Sequence, residues 1–170
     1  MKATKASQQG LNRIELLIVL CLLTILILLA VPAYTTHRVR YQVSEGLNLA
    51  ARWRVAVAEY YATMANMPPD EKALTGMGAA SGPYVSGIVV KRGQILITYG
   101  NSVSSSLKGR VLSLTPRRNP NNNDIVWICG SAAATLPDGT ELQALKDTPA
   151  PVTDATAVPA QYLPAKCGAS

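Results

Sequence analysis

Few residues in this 170-residue chain have the types and spacing to do chemistry. The one in the most telling position is Glu15, near the start of a run that is otherwise apolar from Ile14 to Ala33. A charged carboxylate is costly in hydrocarbon, so a membrane-spanning segment rarely keeps one without a use for it. Among packed apolar helices such a group needs an ionic partner, and a free ammonium is a suitable one. Elsewhere no catalytic constellation is visible. The lone histidine, His37, sits just after the apolar run, and the plentiful serines have no histidine base in their own segment. There is no Cys-x-x-Cys, no glycine-rich phosphate loop and no His-Glu-x-x-His pair. The expectation is a protein without a cofactor or metal site, and not an enzyme.

The elements around Glu15 are unusual in their order. Met1 to Gly10 is a short polar leader carrying Lys2 and Lys5. An ordinary secretory signal places its apolar region before a small-residue cleavage site. Here the small residue, Gly10, comes first, so a cut after it leaves the apolar run at the new N-terminus. Ile14 to Ala33 spans roughly 30 Å as a helix, about one bilayer core. Lys2, Lys5 and Arg13 flank one end and Arg38 and Arg40 the other. That modest bias favours the N-terminus inside and the C-terminal part outside. Cys21, in the middle of the run, reads as a buried inert thiol.

From Tyr34 to Met64 the pattern turns amphipathic. Val39, Val43, Leu47, Ala50, Val57, Tyr61 and Met64 fall on one face of a helix, with Arg38, Glu45, Asn48, Arg52 and Glu59 at polar positions. Residues 11–64 thus form a nearly continuous helix, roughly 80 Å long. Pro32 should kink it or open it locally. Met67-Pro68-Pro69-Asp70 ends it. Four β-like runs follow: Tyr84–Val90, Gln94–Tyr99, Arg110–Thr115 and Ile125–Cys129. Their turns carry Lys91-Arg92-Gly93, then Gly100-Asn101-Ser102 with a serine run, then Pro116 to Asp124. Short spacings favour an antiparallel meander, with the amphipathic half-helix as its lid. The fold class is therefore α+β, a long helix packed on a four-stranded antiparallel sheet. After Cys129 the chain shows little periodicity. Cys129 and Cys167 lie outside the apolar run, and such a pair on an exported domain suggests one disulfide bounding a C-terminal loop.

The stretch Gly10-Leu11-Asn12-Arg13-Ile14-Glu15-Leu16-Leu17-Ile18-Val19 resembles the processing motif of type IV prepilins. Pro32-Ala33-Tyr34 is similar to the proline that closes the membrane half-helix of that family. Val43-Ser44-Glu45, Leu47 to Ala50 and Ala56 to Tyr61 read like its amphipathic half, and Tyr162 to Cys167 like the closing edge of the major pilin disulfide loop. The resemblance is to type IVa, major-pilin-like subunits. The resemblance departs at Leu11, where phenylalanine is usual, and at Asn12-Arg13, which replace a less polar pair.

The resemblance implies a domain plan: a leader over residues 1–10, a transmembrane and assembly half-helix over 11–33, an amphipathic half over 34–64, and a globular pilin domain over 65–170. It implies that prepilin peptidase cuts between Gly10 and Leu11 and methylates the amine of Leu11. Glu15 then aids docking of the subunit, and the helix between about Thr24 and Pro32 melts as subunits enter the filament. The partners implied are further copies in a helical filament, the peptidase and assembly machinery, and the bacterial inner membrane before assembly. The mature location implied is the extracellular pilus, serving adhesion, twitching motility or DNA uptake. Two alternatives are a minor pilin acting as a DNA receptor and a type II secretion pseudopilin, the latter disfavoured by the long Cys129–Cys167 loop.

The net charge of +6 does not by itself indicate nucleic acid, but the basic residues are paired. Lys91 with Arg92, Lys108 with Arg110, and Arg117 with Arg118 fall at strand ends or turns. They are solvated turn charges, or they gather into a DNA-binding stripe repeated along a filament. A host-surface receptor is the other external partner implied.

Overall fold

The computed structural model describes residues 12–167. Its elements are one helix, α1 (Arg13–Met64), and strands β1 (Val85–Lys91), β2 (Gln94–Tyr99), β3 (Val111–Arg118), β4 (Ile125–Cys129) and β5 (Gln143–Ala144). The chain divides into two compact units, one ending at Thr35 and the other beginning at Thr36.

In the first unit α1 starts at an asparagine cap. The Asn12 side chain accepts a hydrogen bond from the Ile14 amide at 3.4 Å, and the Asn12 carbonyl accepts from the Leu16 amide at 3.1 Å. This satisfies one of the amides that a helix leaves without a partner at its start. The helix is long and apolar enough to cross a membrane, with a mean hydropathy of 3.2 over its most apolar window. Thr24 fits into this run because its hydroxyl donates to the Cys21 carbonyl at 2.7 Å. The backbone is helical without interruption through Pro32, so the local opening expected there is absent from the single subunit. One missing amide leaves the flanking helical bonds in place.

In the second unit α1 lays one face on the sheet. The buried stripe is Val39, Val43, Ala50, Trp53 and Val57, with Gly46 between them. Steps of four and three alternate along it, which is the period of a helix packed on one side. Leu47 and Tyr61 are only half-buried, and Met64 is 59% exposed, because the helix ends there beyond the cover of the sheet. Trp53, at 1% exposure, holds the centre of the stripe that the spacing argument assigned without it. α1 ends at Ala65, whose φ of 56° breaks the helical path.

The sheet runs β1-β2-β3-β4 in antiparallel order. The first hairpin closes on two residues, Arg92 and Gly93, with φ of 47° and 79°. Positive values at both positions match the right-handed twist of the flanking strands. The amides of that turn donate to the carbonyls of Pro69 and Pro68, each at 2.9 Å, tying the segment after α1 to the hairpin tip.

β3 continues to Arg118, where the sequence suggested a turn from Pro116 onward. Leu114 is the last β3 residue paired with β2, and Pro116 pairs with Trp127 of β4. The Ser113 carbonyl accepts from Gly130 on the β4 side. Alternation along the strand then turns the Pro116 nitrogen to the other side, past the start of β2, where no ladder bond is lost. β5 takes up that same side at Arg117 and Arg118, adding a fifth, very short strand. β1 and β3 each begin one residue later than the sequence suggested.

Ile95, Ile97, Tyr99, Leu112 and Leu114 form the face that meets α1. The opposite face is mixed: Gln94, Ser113 and Thr115 are buried there beside Leu96 and Ile128. It is covered by the chain before the C-terminus. The Gln94 amide donates to the Thr115 hydroxyl and to the Ala150 carbonyl, both at 2.9 Å, and the Val152 amide donates to the Ser113 hydroxyl at 3.0 Å. Further on, Thr156 and Val158 bond to the backbone of Val111. The Cys129–Cys167 disulfide then holds the end of the chain to β4, with Cα atoms 4.8 Å apart.

Candidate functional site

The structure places the expected site residues in three groups. The first is the start of α1. Glu15 is exposed in the first turn, three residues beyond the Asn12 cap. A carboxylate there is favoured by the positive end of the helix dipole. Arg13 is exposed beside it. Residues two apart on a helix do not face each other, so Arg13 is poorly placed to neutralise Glu15 within one chain. Gly10 and Leu11 lie outside the described residues.

Behind Glu15 the apolar run has no cover in a single copy. Its large side chains from Ile14 to Leu29 are between 46% and 74% exposed. Cys21 is exposed with them in a single copy. A continuous apolar surface of this size in water marks an interaction or membrane site.

The second group is the disulfide, Cys129 with Cys167, whose sequence separation is 38. It is assisted by Arg110, whose guanidinium donates to the carbonyls of Ala155 and Ala157, and by Arg40, which donates to the Gln161 carbonyl at 2.9 Å. A segment with few large apolar side chains is therefore held by polar clamps and one covalent bond.

The third group is the basic residues, and they do not form one stripe. The β2–β3 register sets Ile95 against Leu114 and Thr98 against Val111. Lys91, Arg92, Arg117 and Arg118 consequently lie at one end of the sheet, and Lys108 and Arg110 at the other. Arg110 is committed to the C-terminal segment. Arg118 donates to the Gln143 side chain at 2.6 Å, and the Nε of Arg117 is buried without a hydrogen-bond partner. Lys91 and Arg92 are exposed at the hairpin tip. Arg92 and Lys146 share a cavity of about 340 Å³ with Asp147 and the end of α1. Lys146 was not singled out from the sequence, because nothing near it in the chain marks its position beside the hairpin.

Deeper in this unit a tyrosine joins helix and sheet. The Tyr99 hydroxyl donates to the Val43 carbonyl at 2.8 Å. A Cβ on Gly46 would lie 2.5 Å from that hydroxyl and 2.9 Å from Ile97, so only glycine lets α1 come this close. Burial, and then the nearby Glu45 carboxylate, push the Tyr99 phenol well above its ordinary range. Among the described residues no group of three His, Cys, Asp or Glu is placed to hold a metal ion.

Comparison with known proteins agrees with these features. A family model for pilin, the bacterial filament protein, matches residues 39–168. The chain is 35% identical over 167 residues to the type IV major pilin protein PilE1 of Neisseria gonorrhoeae, covering 94% of this chain and 93% of that one. It is 34% identical to the fimbrial protein of Neisseria meningitidis serogroup A, over 94% of each. It is 30% identical to the type IV major fimbrial protein FimA of Dichelobacter nodosus, over 82% of this chain and 92% of that one. These relatives are structural subunits of filaments, not enzymes. An apolar helix with a carboxylate in its first turn, an antiparallel sheet against its second half and a disulfide near the C-terminus complete the pattern, and the chain belongs to the pilin family.

Proposed function

We propose that the chain is a major-type type IV pilin, made as an inner-membrane precursor and cut by prepilin peptidase between Gly10 and Leu11. The Leu11 amine is methylated, which keeps its charge. It then pairs with Glu15 of a neighbouring subunit as the apolar halves of α1 pack together in an extracellular pilus. The observation that carries this reading is the exposed apolar surface from Ile14 to Leu29 with Glu15 in its first turn. That surface needs lipid before assembly and other helices after it. The ion pair fixes axial stagger, since only one offset brings amine and carboxylate together. Replacing Glu15 by Ala is expected to reduce sheared surface filaments by on the order of tenfold or more, with the subunit retained in the membrane. Normal filament yield from that variant contradicts the docking role.

A pilus of this kind serves adhesion, twitching motility or DNA uptake. The grouping of Lys91, Arg92, Arg117 and Arg118 at one sheet end favours DNA contact as a second reading, as in a minor pilin that acts as a receptor. Repetition along a filament multiplies weak contacts. Filaments should then bind duplex DNA with an affinity that falls steeply as salt rises, and the Lys91→Ala, Arg92→Ala pair should reduce the slope by about two. Binding that ignores salt, or that survives this substitution unchanged, removes the receptor reading and leaves the structural one intact.

A further inference from the structure

In the second unit, the face of α1 turned away from the sheet carries charges in a regular order. Arg38, Glu45, Arg52 and Glu59 follow one another at steps of seven residues and alternate in sign. Seven residues are nearly two helical turns, so the four form one column with steps of roughly 10.5 Å. Arg38, Arg52 and Glu59 are exposed, and Glu45 is half-buried at the edge of this face. Beside the column Tyr41 and Val55 are 69% and 57% exposed, large side chains that the sheet leaves uncovered. No member of the column has an opposite charge three or four residues away, the spacing at which side chains on one helix meet. Among the described residues Arg38, Arg52 and Glu59 hold no ion pair. Glu45 accepts from the Tyr84 amide at 3.4 Å, and a carboxylate has acceptor sites for more than one donor.

The alternation selects an occupant, because the column is complementary to a displaced copy of itself. A second α1 laid parallel at the same height sets like charge against like, and so does a displacement of two heptads. A displacement of one heptad sets Arg38 against Glu45, Glu45 against Arg52 and Arg52 against Glu59. Three heptads leave only Arg38 against Glu59. We propose that this column is a contact between neighbouring copies of the chain, with their α1 helices parallel and offset by one heptad. A filament that repeats one head-to-tail contact keeps every copy in the same orientation, as parallel pairing requires. One exposed ion pair contributes little, so the column acts through repetition along the filament and through repulsion at the wrong offsets. The inference rests on assembly of this chain into a filament and not on the docking role of Glu15. It adds a contact outside the apolar half of α1 and an axial offset of roughly 10.5 Å between the paired helices.

The test uses the full chain in cells that display the wild-type filament. Arg52→Glu should lower sheared filament yield by on the order of tenfold, because position 52 then meets Glu45 and Glu59 of its neighbours as a like charge. Adding Glu59→Arg should restore the yield to within about threefold of wild type, since the contact between positions 52 and 59 re-forms with its signs exchanged. Both variants should keep the Cys129–Cys167 disulfide. In intact filaments of the Arg52→Lys variant, built from mixed isotope-labelled and unlabelled copies, a zero-length amine–carboxylate coupling reagent is applied. The expected product joins position 52 of one copy to a peptide holding Glu45 or Glu59 of another. Full yield from Arg52→Glu, no recovery on adding Glu59→Arg, or no coupling of position 52 to a second copy overturns the inference while the filament reading stands. Absence of the wild-type chain from filaments overturns the filament reading, and this inference with it.

Discussion

Single side chains carry two separate tasks, and each can be perturbed alone. Glu15 sits on the exposed first turn of α1, where the helix dipole favours its charge, and its pairing with a neighbouring subunit is proposed. Tyr99 sits in the core, where its phenol must stay neutral. Its pKa is raised by burial first and by Glu45 second, from an ordinary value of 10.0. A raised value means that its contribution is fully present below pH 10 and is lost as pH climbs through the alkaline range. Thermal unfolding of the detergent-solubilised chain should therefore show Tyr99→Phe less stable at neutral pH by about 1 kcal/mol, for one buried hydrogen bond. The difference should shrink above pH 10, where only the wild type loses stability by ionising this group. A gap that stays constant across that range means the phenol is not the titrating group. Glu15 was legible from sequence because a lone acid in an apolar run has few explanations. Tyr99 was not, because nothing local distinguishes a strand tyrosine that bonds across to a helix carbonyl from one that faces solvent.

At the level of elements, what decides the fold is how closely α1 can approach β2. Gly46 permits that approach, since a Cβ there would lie 2.5 Å from the Tyr99 hydroxyl. Gly46→Ala should destabilise the domain by about 1–3 kcal/mol through overpacking, despite the better helix propensity of alanine. Adding Tyr99→Phe should recover part of the loss, measured as non-additive shifts in the unfolding midpoint. Stability equal to or above wild type for Gly46→Ala contradicts the tight contact. β2 and β4 were readable to the residue because they are dense β-branched and apolar runs bounded by turn chemistry. The extension of β3 through Pro116 was not, because the ring forbids a ladder bond only on one side, and which side is a matter of register. β5 is two residues held by pairing with Arg117 and Arg118, with no local signal of its own. Trp53 was passed over because the apolar spacing can be satisfied by Leu47 as well, and only the position of the sheet selects between them.

Across the whole molecule, an unfinished surface points to assembly: the apolar half of α1 is uncovered. The second unit is held together by its sheet, the strap after β5 and the disulfide. The family resemblance could be read from residues 10–64 and the Cys167 end, since both carry motif-like spacing. The division of the basic residues between two sheet ends could not, because it follows from pairing across β2 and β3 and not from order in the chain. The central claim, that this chain is processed after Gly10 and built into a pilus, is tested most directly by intact-mass and N-terminal analysis of sheared surface filaments. The account predicts that their dominant subunit begins at Leu11, carries one methyl group on that amine and holds the Cys129–Cys167 disulfide. Filaments lacking this chain, or containing it with residues 1–10 still attached, would contradict it.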